Sequence, residues 1–314
     1  MIFHFILNPK SGRSPQQKKM EQEIVEGCMK RQLSYHIYYT TAPKNAITYV
    51  REMIKEYPDE RQRFICVGGD GTINEIANSA PGNPNIEFGV IPNGSGNDFV
   101  RNFTERKLFS DIDAQIDGTV YSCDLIKVND HYCVNMVNIG FDCAVVIEAE
   151  RFRKVKFLSP SLSYILGVVV GFFFRRLGTR MKITLDNGTV IDEVLSLTAI
   201  GNGRFCGGGF QSCPLAKLND GILDICVIKK VTRPAFLRLV GCYKDGTFLV
   251  KKSAQKFFRY IRTNHFKMEF EDNQPICIDG EISNSKTVEF TVVPGGFNFV
   301  IPKGSQLLYT GVEK

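Results

Sequence analysis

The chain has 314 residues, a length that suggests about two domains. Hydrophobic residues make up 43% and charged residues 23%, which excludes disorder, collagen and coiled coil as descriptions of the whole chain. The formal net charge of +6 favours anionic partners. Because no run of five like charges occurs, we expect no nucleic-acid partner.

The first 91 residues alternate between apolar strands and amphipathic helices. Strands are predicted at 1–7, 34–39, 64–67 and 88–91. Helices are predicted to begin at Pro15 after Ser14, to cover 45–56, and to begin again near Ile73. This alternation predicts a parallel sheet covered on both faces, with its ligand site beyond the carboxyl ends of the strands.

Beyond about residue 125 strand-like segments follow one another. They lie at 132–137, 181–185, 190–199, 222–228, 266–270, 287–293 and 297–301, with helical patterns at 161–175 and 232–244. Asn187-Gly188 predicts a two-residue hairpin, and Pro294-Gly295-Gly296 predicts another turn. We therefore expect an α/β domain at 1–125 and a β-rich sandwich or barrel at 126–304, with 305–314 returning to the first domain.

Cysteine usage and the N-terminus bear on location. The ten cysteines form no C-x-x-C pair, and several lie inside apolar runs, which indicates buried thiols and a cytoplasmic location. The start of the chain has no basic region before its apolar run, so we expect no signal peptide. The most apolar stretch, 164–174, is shorter than the roughly 20 residues that a spanning helix needs.

Three polar loops leave the ends of predicted strands. In Gly68-Gly69-Asp70-Gly71-Thr72 the glycines permit positive φ and close ligand approach, and the amides before a helix can bind phosphate. A carboxylate among phosphates suggests Mg²⁺ or water management by Asp70. The loops at 92–99 (PNGSGNDF) and 8–12 (NPKSG) add hydroxyls, amides and a cation. Each loop alone is also compatible with an ordinary turn.

The second half contains weaker signals. Asp279-Gly280-Glu281 offers two carboxylates, one of which could take the proton of an acceptor hydroxyl; the alternative is a hairpin turn. Asn219-Asp220-Gly221 is a surface turn or a metal-binding loop, and the glycine-rich loop around Arg204 is expected to be irregular. Walker A, G-x-G-x-x-G, G-x-S-x-G and H-E-x-x-H patterns are all absent from the sequence.

Taken together, these motifs resemble the diacylglycerol kinase catalytic family, which includes bacterial lipid kinases and sphingosine and ceramide kinases. NPKSG is similar to its first nucleotide loop, GGDGT to its glycine signature, and PNGSGNDF to its P-x-G-T-x-N-D-F loop, with Ser95 where threonine is usual. GNGRFCGGGF and CPLAKLNDGILD resemble its second-domain motifs. The resemblance implies an α/β + β fold, in which an NAD kinase/phosphofructokinase-like nucleotide-binding domain is followed by a β-sandwich domain.

The resemblance also implies functional residues. The implied nucleotide contacts are Asn8, Pro9, Lys10, Ser11, Gly12, Thr40, Gly68, Gly69, Asp70, Gly71, Thr72, Gly94, Ser95, Asn97 and Asp98. Asp70, Asp279 and Glu281 are the implied catalytic acids, and the proton acceptor is left open between the last two. The N-D-G-x-L segment resembles a structural Mg²⁺ loop with the Asp220 carboxylate and the carbonyls of Lys217 and Ile222 as ligands. Lysine at 217, where the family often has an acid, leaves the affinity of that loop open.

The implied reaction transfers the γ-phosphoryl group of ATP, with Mg²⁺, to a lipid hydroxyl, most directly that of diacylglycerol to give phosphatidic acid. The enzyme would visit the membrane peripherally, with groups in 151–180 as candidate contacts, and a homodimer is among the open oligomeric states. One alternative is an NAD kinase-like small-molecule kinase, because GGDGT is shared with that group. Another is a non-catalytic nucleotide or lipid sensor, against which the intact acids at 70, 279 and 281 argue.

Overall fold

The computed structural model describes residues 1–7, 15–42, 45–153, 166, 170 and 177–308. The chain divides into two compact units. The first contains Met1–Asp124 together with the segment that begins at Pro294, and the second contains Leu125–Val293. Two segments of the chain therefore build the first unit, and its second segment begins at residue 294 rather than at residue 305.

The first unit follows the predicted alternation. Its regular elements are β1 (Ile2–Leu7), α1 (Pro15–Lys30), β2 (Ser34–Tyr39), α2 (Asn45–Glu56), β3 (Gln62–Gly68), α3 (Asp70–Ala77) and β4 (Ile86–Pro92). Two 3₁₀ turns, Phe99–Asn102 and Arg106–Ser110, then lead to α4 (Ile112–Ile116) and to the start of β5 (Thr119–Val128). Helix α1 begins at Pro15 and α2 covers 45–56, as predicted, whereas α3 begins at Asp70, three residues before the predicted start at Ile73.

The sheet of the first unit is parallel, as predicted. Its order is β2-β1-β3-β4, and the end of β13 (Glu281–Ile301) pairs with β4 in parallel through Phe299 and Phe88. Apolar side chains of β1, β3, β4, α1 and α4 form one buried cluster, to which Phe5, Ile24 and Ile91 belong. The register pairs Gly68 with Pro92, so β3 and β4 end side by side and deliver their loops to the same edge of the sheet.

The second unit is β-rich and antiparallel. After β5 it contains β6 (His131–Cys133), β7 (Met136–Gly140), α5 (Phe141–Arg153), β8 (Thr179–Leu185), β9 (Val190–Gly201), β10 (Leu223–Lys229), α6 (Arg233–Lys244), a 3₁₀ turn (Thr247–Leu249), α7 (Lys252–Gln255), β11 (Phe258–Thr263), β12 (His265–Ile278) and the first part of β13. The strand order is β11-β10-β9-β7-β12-β13, and β8 pairs with both β9 and β12.

The strands of the second unit carry two cores, one on each face. In β10, Ile225 and Val227 enter a cluster shared with β12 and β13, whereas Cys226 and Ile228 enter a cluster with α6. This alternation follows from the two-residue period of a strand. The predicted helix at 232–244 is confirmed as α6, whose buried face belongs to the second cluster.

Two turn predictions are corrected, and the hairpin turn given as the alternative for Asp279-Gly280-Glu281 is observed. The β8–β9 hairpin uses three residues, because Leu185 pairs with Thr189 and only Gly188 has a positive φ, 81°. The predicted turn at 294–296 is absent, since β13 runs unbroken from Glu281 to Ile301. The two-residue hairpin signal belongs instead to Asp279-Gly280, which joins β12 to β13 with φ of 45° and 95°.

Other expectations have mixed outcomes. The predicted strand at 132–137 is two strands, β6 and β7, with a break between them. Strands β5 and β11 and helix α5 were not predicted. The predicted helix at 161–175 lies outside the described residues apart from positions 166 and 170. All ten cysteines are buried, as the sequence indicates, and none of them forms a disulfide. Among the described residues, no helix combines the length and the hydropathy needed to cross a bilayer.

Candidate functional site

The two glycine loops of the first unit lie against each other. The Asn93 amide donates to the Gly68 carbonyl oxygen at 2.8 Å. A Cβ built on Gly69 would lie 2.9 Å from the Gly94 Cα, and one built on Gly94 would lie 2.6 Å from the Gly69 Cα. Real Cβ atoms do not make contacts this short, so glycine is required at both positions by the approach of the two backbones.

The reason for these glycines differs in part from the sequence-based expectation. None of Gly68, Gly69, Gly71, Gly94 and Gly96 has a positive φ; Asn97 has one, at 48°. The Asn97 side chain holds this left-handed turn, because its amide group both accepts from the Gly94 amide at 3.0 Å and donates to the Gly94 carbonyl at 2.9 Å. Close approach, rather than positive φ, therefore accounts for Gly69 and Gly94.

Asp70 links the two loops. Its carboxylate oxygens accept hydrogen bonds from the amides of Asp98 and Phe99, both at 3.0 Å. Those amides open the 3₁₀ turn Phe99–Asn102, so the acid of the first loop fixes the end of the second. Asp98 is itself buried and forms an ion pair with Arg101, whose Nε lies 3.1 Å from Oδ1. A metal- or water-related role of Asp70 stays a prediction.

The other predicted nucleotide contacts are placed as follows. The Thr72 side chain covers Gly68, whereas a Cβ on Gly71 would meet nothing within 4 Å. Ser95 is exposed. Thr40 follows β2, and its amide donates to the Leu7 carbonyl at the end of β1 at 2.9 Å. Residues 8–12, with the implied contacts Asn8, Pro9, Lys10, Ser11 and Gly12, lie outside the described residues.

Thr41 has a structural task that Thr40 does not share. Its amide and hydroxyl both donate to the Asn45 side chain at the start of α2, at 3.0 and 2.8 Å. Thr40 instead stands beside the strand that leads into residues 8–12. This arrangement agrees with the preference for Thr40, whose contact with nucleotide stays a prediction.

The two acids of the Asp279-Gly280-Glu281 segment have different environments. The Asp279 carboxylate accepts from three successive amides, those of Val134, Asn135 and Met136, at 2.6, 3.1 and 2.9 Å. These amides fall at the break between β6 and β7, so Asp279 supplies the partners that strand pairing would otherwise provide. Glu281 is exposed at the start of β13.

The glycine-rich loop after β9 is attached to the same break. The amides of Asn202 and Gly203 both donate to the Asn135 carbonyl at 3.0 Å. In return, the Asn135 side chain donates to the Phe205 carbonyl at 2.8 Å. Buried Arg204 donates through Nε to the Ala216 carbonyl at 2.9 Å. The loop expected to be irregular is therefore an ordered support for residues 134–136.

The implied Mg²⁺ loop contains one carboxylate. Asp220 is the only carboxylate among its three implied ligands, and its Oδ2 accepts from the Arg262 guanidinium while Oδ1 accepts from the Ile222 amide at 3.2 Å. Lys217 and Ile222 are implied to contribute only their carbonyl oxygens. Among the described residues there is no group of three or more His, Cys, Asp or Glu that could hold a metal. Because Mg²⁺ is also bound by a single carboxylate with carbonyl oxygens and water, the implied ligand set at 217–222 stays a prediction.

Arg262 also lies against a second acid. Its Nε is 3.3 Å from Oδ1 of Asp224, which is fully buried and faces Arg262 across the β10–β11 pair. Burial raises the pKa of Asp224 to about 6, an effect that a hydrogen bond from Tyr260 and the charge of Arg262 reduce. The Arg262 guanidinium thus lies between Asp220 and Asp224 and supplies positive charge to both carboxylates.

One acid was missed by the motif search. Asp142 lies in the first turn of α5, and its carboxylate accepts from the Tyr243 hydroxyl of α6 at 3.3 Å. Burial raises the pKa of Asp142 from 3.8 to about 7. Nothing local marks this residue, because its partner is 101 positions away. The only sequence signal for it is an acid two residues after a strand that ends in glycine.

Comparison with known proteins follows the same division of the chain. Residues 3–128 match the model of the diacylglycerol kinase catalytic domain. Residues 135–301, more than half of the chain, match the model of the YegS C-terminal NAD kinase beta sandwich-like domain. The chain belongs to the diacylglycerol kinase catalytic family. The expected α/β + β fold class is confirmed by these matches.

Relatives of this kinase family cover most of the chain. A Shewanella frigidimarina protein named "Probable lipid kinase YegS-like" is 28% identical over 273 residues, covering 84% of each chain. A Bacillus subtilis protein named diacylglycerol kinase is 27% identical over 305 residues, covering 95% of each.

Solved structures support the fold. A diacylglycerol kinase from Bacillus anthracis superposes with a TM-score of 0.71 at 21% identity, over 96% of this chain and 97% of that one. An NAD kinase from Archaeoglobus fulgidus in complex with ATP reaches a TM-score of 0.53 at 9% identity, over 96% and 94%. At these identities the likeness bears on the fold alone, and the NAD kinase-like architecture expected from the sequence agrees with it.

Proposed function

We propose that this protein is an ATP-dependent lipid kinase that phosphorylates a lipid hydroxyl, with diacylglycerol as the first acceptor to test. The observation that carries the proposal is the paired glycine loops, joined by the Gly69–Gly94 contact and by the Asp70 hydrogen bonds. Such a close-packed edge presents backbone amides with little side chain in the way, which suits a phosphate chain. Relatives named lipid kinase and diacylglycerol kinase support the choice of acceptor.

In this proposal the residues of the first unit bind and orient ATP. Amides of Gly69–Gly71, with those of residues 95–97 and the Ser95 hydroxyl, hold the phosphates, and Thr40 and residues 8–12 contribute further contacts. Gly71 supports a direct ligand approach, since no protein atom explains the absence of a side chain there. Mg²⁺ enters bound to ATP as part of the substrate and would neutralise phosphate charge.

The second unit supplies the proton acceptor. The acceptor oxygen loses its proton to a carboxylate and bonds to the γ-phosphorus, while the bond from that phosphorus to the β–γ bridging oxygen breaks and ADP leaves. We propose Glu281 as this carboxylate and Asp279 as the residue that positions residues 134–136. The support is that the Asp279 carboxylate is already engaged by three amide hydrogen bonds, whereas Glu281 is exposed.

The test is transfer of label from radiolabelled ATP to a lipid panel in mixed micelles, with NAD in a parallel tube. We expect label on diacylglycerol. We also expect Glu281→Gln to lower kcat by about 100-fold or more while ATP affinity and melting temperature stay the same. Glu271→Gln, which removes another exposed acid of the second unit, is the matched control.

Each alternative has its own outcome in this assay. Label on NAD and on no lipid would move the protein to the NAD kinase-like group, whose fold it shares. Binding of ATP without transfer to any acceptor would make it a sensor. If Glu281→Gln is fully active while Asp279→Asn is folded and inactive, the roles of the two acids are the reverse of those proposed.

A further inference from the structure

The charge of this protein is concentrated in one segment of the second unit. Residues 229–259 contain nine Lys or Arg and one acid, Asp245, which gives this segment a formal charge of +8. The chain as a whole carries +6, so all other residues together sum to −2. The segment covers the end of β10, helices α6 and α7, the 3₁₀ turn between them and the start of β11.

The basic side chains of the segment lie on its exposed side. Helix α6 buries Leu239, Cys242 and Tyr243 against the core and exposes the opposite face. We call the exposed set the basic surface; its members are Lys230, Arg233, Leu237, Arg238, Lys244, Val250, Lys251, Lys252 and Lys256.

The cations on either side of the 3₁₀ turn Thr247–Leu249 are close in space. Lys251 is near enough to the end of α6 to act on the pKa of Asp245, which is lowered first by a hydrogen bond from Thr247 and also by that ammonium. The Lys251 amide donates to the Thr247 carbonyl at 2.9 Å, which continues the 3₁₀ turn towards α7. Lys244 and Lys251 therefore flank the same turn.

Few acids balance these cations. The ion pairs of neighbouring β11 use Arg259 and Arg262, with Glu193, Asp220 and Asp224 as partners. Within the part of the chain that the structure describes, Arg238, Lys244, Lys252 and Lys256 form no ion pair with a carboxylate. The surface thus retains its positive field and fits an anionic partner.

Two apolar side chains stand among the cations. Leu237 is 62% exposed and Val250 67% exposed, which places both among the most exposed large hydrophobic residues described. Phosphate chains of nucleic acid offer no partner for such side chains, whereas the headgroup region of a bilayer receives both apolar and basic groups. The combination favours an anionic bilayer.

We propose that the basic surface docks this protein on bilayers rich in anionic phospholipid. The inference deepens the proposed function, since a kinase of diacylglycerol must reach its acceptor in a membrane, but docking itself requires no catalysis. It assigns the contact to α6, α7 and the turn between them. The contact expected from the sequence at 151–180 falls largely outside the described residues and is not needed for this proposal.

The test is co-sedimentation of the full chain, without ATP, with vesicles of phosphatidylcholine alone or mixed with phosphatidylglycerol. We expect binding to the mixed vesicles only, and its loss as salt is raised. At roughly fivefold per basic contact, Arg238→Glu/Lys252→Glu should weaken binding at least about 25-fold. Lys55→Glu/Lys107→Glu makes the same charge change at exposed positions of the first unit and should bind like the wild type. Melting curves verify that both variants are folded.

Several outcomes would overturn the docking proposal. Equal binding to both kinds of vesicle, equal losses in the two double variants, or tighter binding to duplex DNA than to vesicles at the same ionic strength would each do so. Phosphorylation of a short-chain diacylglycerol dispersed without vesicles is measured in parallel. Docking variants should keep the wild-type rate there, and absence of that activity in the wild type, with vesicle binding intact, would count against the proposed function alone.

Discussion

The carboxylates of Asp70 and Asp279 both accept hydrogen bonds from backbone amides, but the sequence separations differ. Asp70 accepts amides 28 and 29 residues further along the chain, at the end of the next parallel strand. Asp279 accepts three amides 143 to 145 residues earlier, at a break between two strands of the second unit. Both acids belong to motifs that resemble catalytic ones, yet each braces backbone. The comparison teaches that the role of an acid in a motif must be inferred from its hydrogen-bond partners.

The largest expected effect concerns the loops that Asp70 braces. Gly94→Ala places a Cβ 2.6 Å from the Gly69 Cα, a contact that only separation of the two loops can relieve. We expect ATP binding to fall by 100-fold or more, on the order of 3 kcal/mol, with a lower melting temperature. Isothermal titration with a non-hydrolysable ATP analogue and thermal unfolding measure the two effects.

Gly71→Ala sharpens this result, because its Cβ meets no protein atom within 4 Å. The variant should melt at the wild-type temperature and still bind ATP more weakly. Gly241→Ala, at another position with nothing within 4 Å, controls for the added methyl group and should leave ATP binding unchanged. Wild-type ATP affinity in Gly71→Ala would show that the space beside this residue is not used by nucleotide.

The next largest effect is expected when the hydrogen bonds of Asp279 are removed. Asp279→Asn replaces one acceptor oxygen by an NH₂ group that cannot accept from the amides at 134–136. We expect a loss of about 2–4 kcal/mol in the free energy of unfolding, because buried amides lose a charged acceptor. Chemical denaturation measures it, with Glu281→Gln as the neighbouring variant that should stay within about 0.5 kcal/mol of the wild type. Equal losses in both variants would contradict the assigned difference between the acids.

The separation of two contacting residues along the chain decides whether their contact can be predicted from the sequence. The first unit was predictable because its strands and helices alternate and neighbouring parallel strands end together, which brings Gly68 beside Pro92. The hydrogen bonds of Asp279 join residues separated by more than 140 positions, and no local pattern encodes such a contact. The same applies to Asp142 and Tyr243, whose interaction depends on the packing of α6.

Local patterns also misled at particular elements. In β11, Phe258–Thr263, the two arginines are three residues apart, which breaks the two-residue alternation typical of a half-buried strand. In β13, the Pro294-Gly295-Gly296 turn signal is overruled by pairing: the Gly295 amide donates to buried Asp124 at 3.0 Å, and the Gly296 carbonyl accepts from Gly82 at 2.8 Å. Tertiary hydrogen bonds thus keep the chain in the strand through residues that favour turns, with Gly295 at a positive φ of 62°.

A third acid, Asp220, extends the comparison because its main partner is a side chain rather than backbone. Arg262→Gln would leave Asp220 and fully buried Asp224 without their shared guanidinium. We expect a loss of about 1–3 kcal/mol in the free energy of unfolding, measured by chemical denaturation. Arg259→Gln, which removes the neighbouring arginine of β11 and a partly exposed ion pair with Glu193, should cost less than about 1 kcal/mol.

Removal of metal gives the matching expectation for the wild type. Without nucleotide, we expect an excess of EDTA to leave its melting temperature unchanged, because the Arg262 guanidinium already pairs with the Asp220 carboxylate. A marked drop with EDTA that added Mg²⁺ reverses would show that a metal ion does bind the 217–222 loop.

The smallest effect concerns Asp142, the acid that lacks the backbone donors of Asp70 and Asp279 among its described partners. With a pKa of about 7 folded against 3.8 ordinarily, it binds more protons in the folded state across that window. Its contribution to stability is therefore largest below the window, falls as pH rises through it, and is lost above pH 7. Asp142→Asn should be more stable than the wild type at pH 8, by on the order of 1–2 kcal/mol, and equal to it near pH 4.

Thermal unfolding from pH 4 to pH 8 compares this variant with Asp130→Asn, which removes an exposed carboxylate from the turn after β5. If only Asp142→Asn gains stability at pH 8, the ionisation of Asp142 in α5 destabilises the wild type. A constant difference across the range would mean that the Tyr243 hydrogen bond, and not ionisation, governs this site. The contrast with Asp279 is then direct, because the Asp279 carboxylate accepts three amide hydrogen bonds, whereas burial opposes ionisation of Asp142.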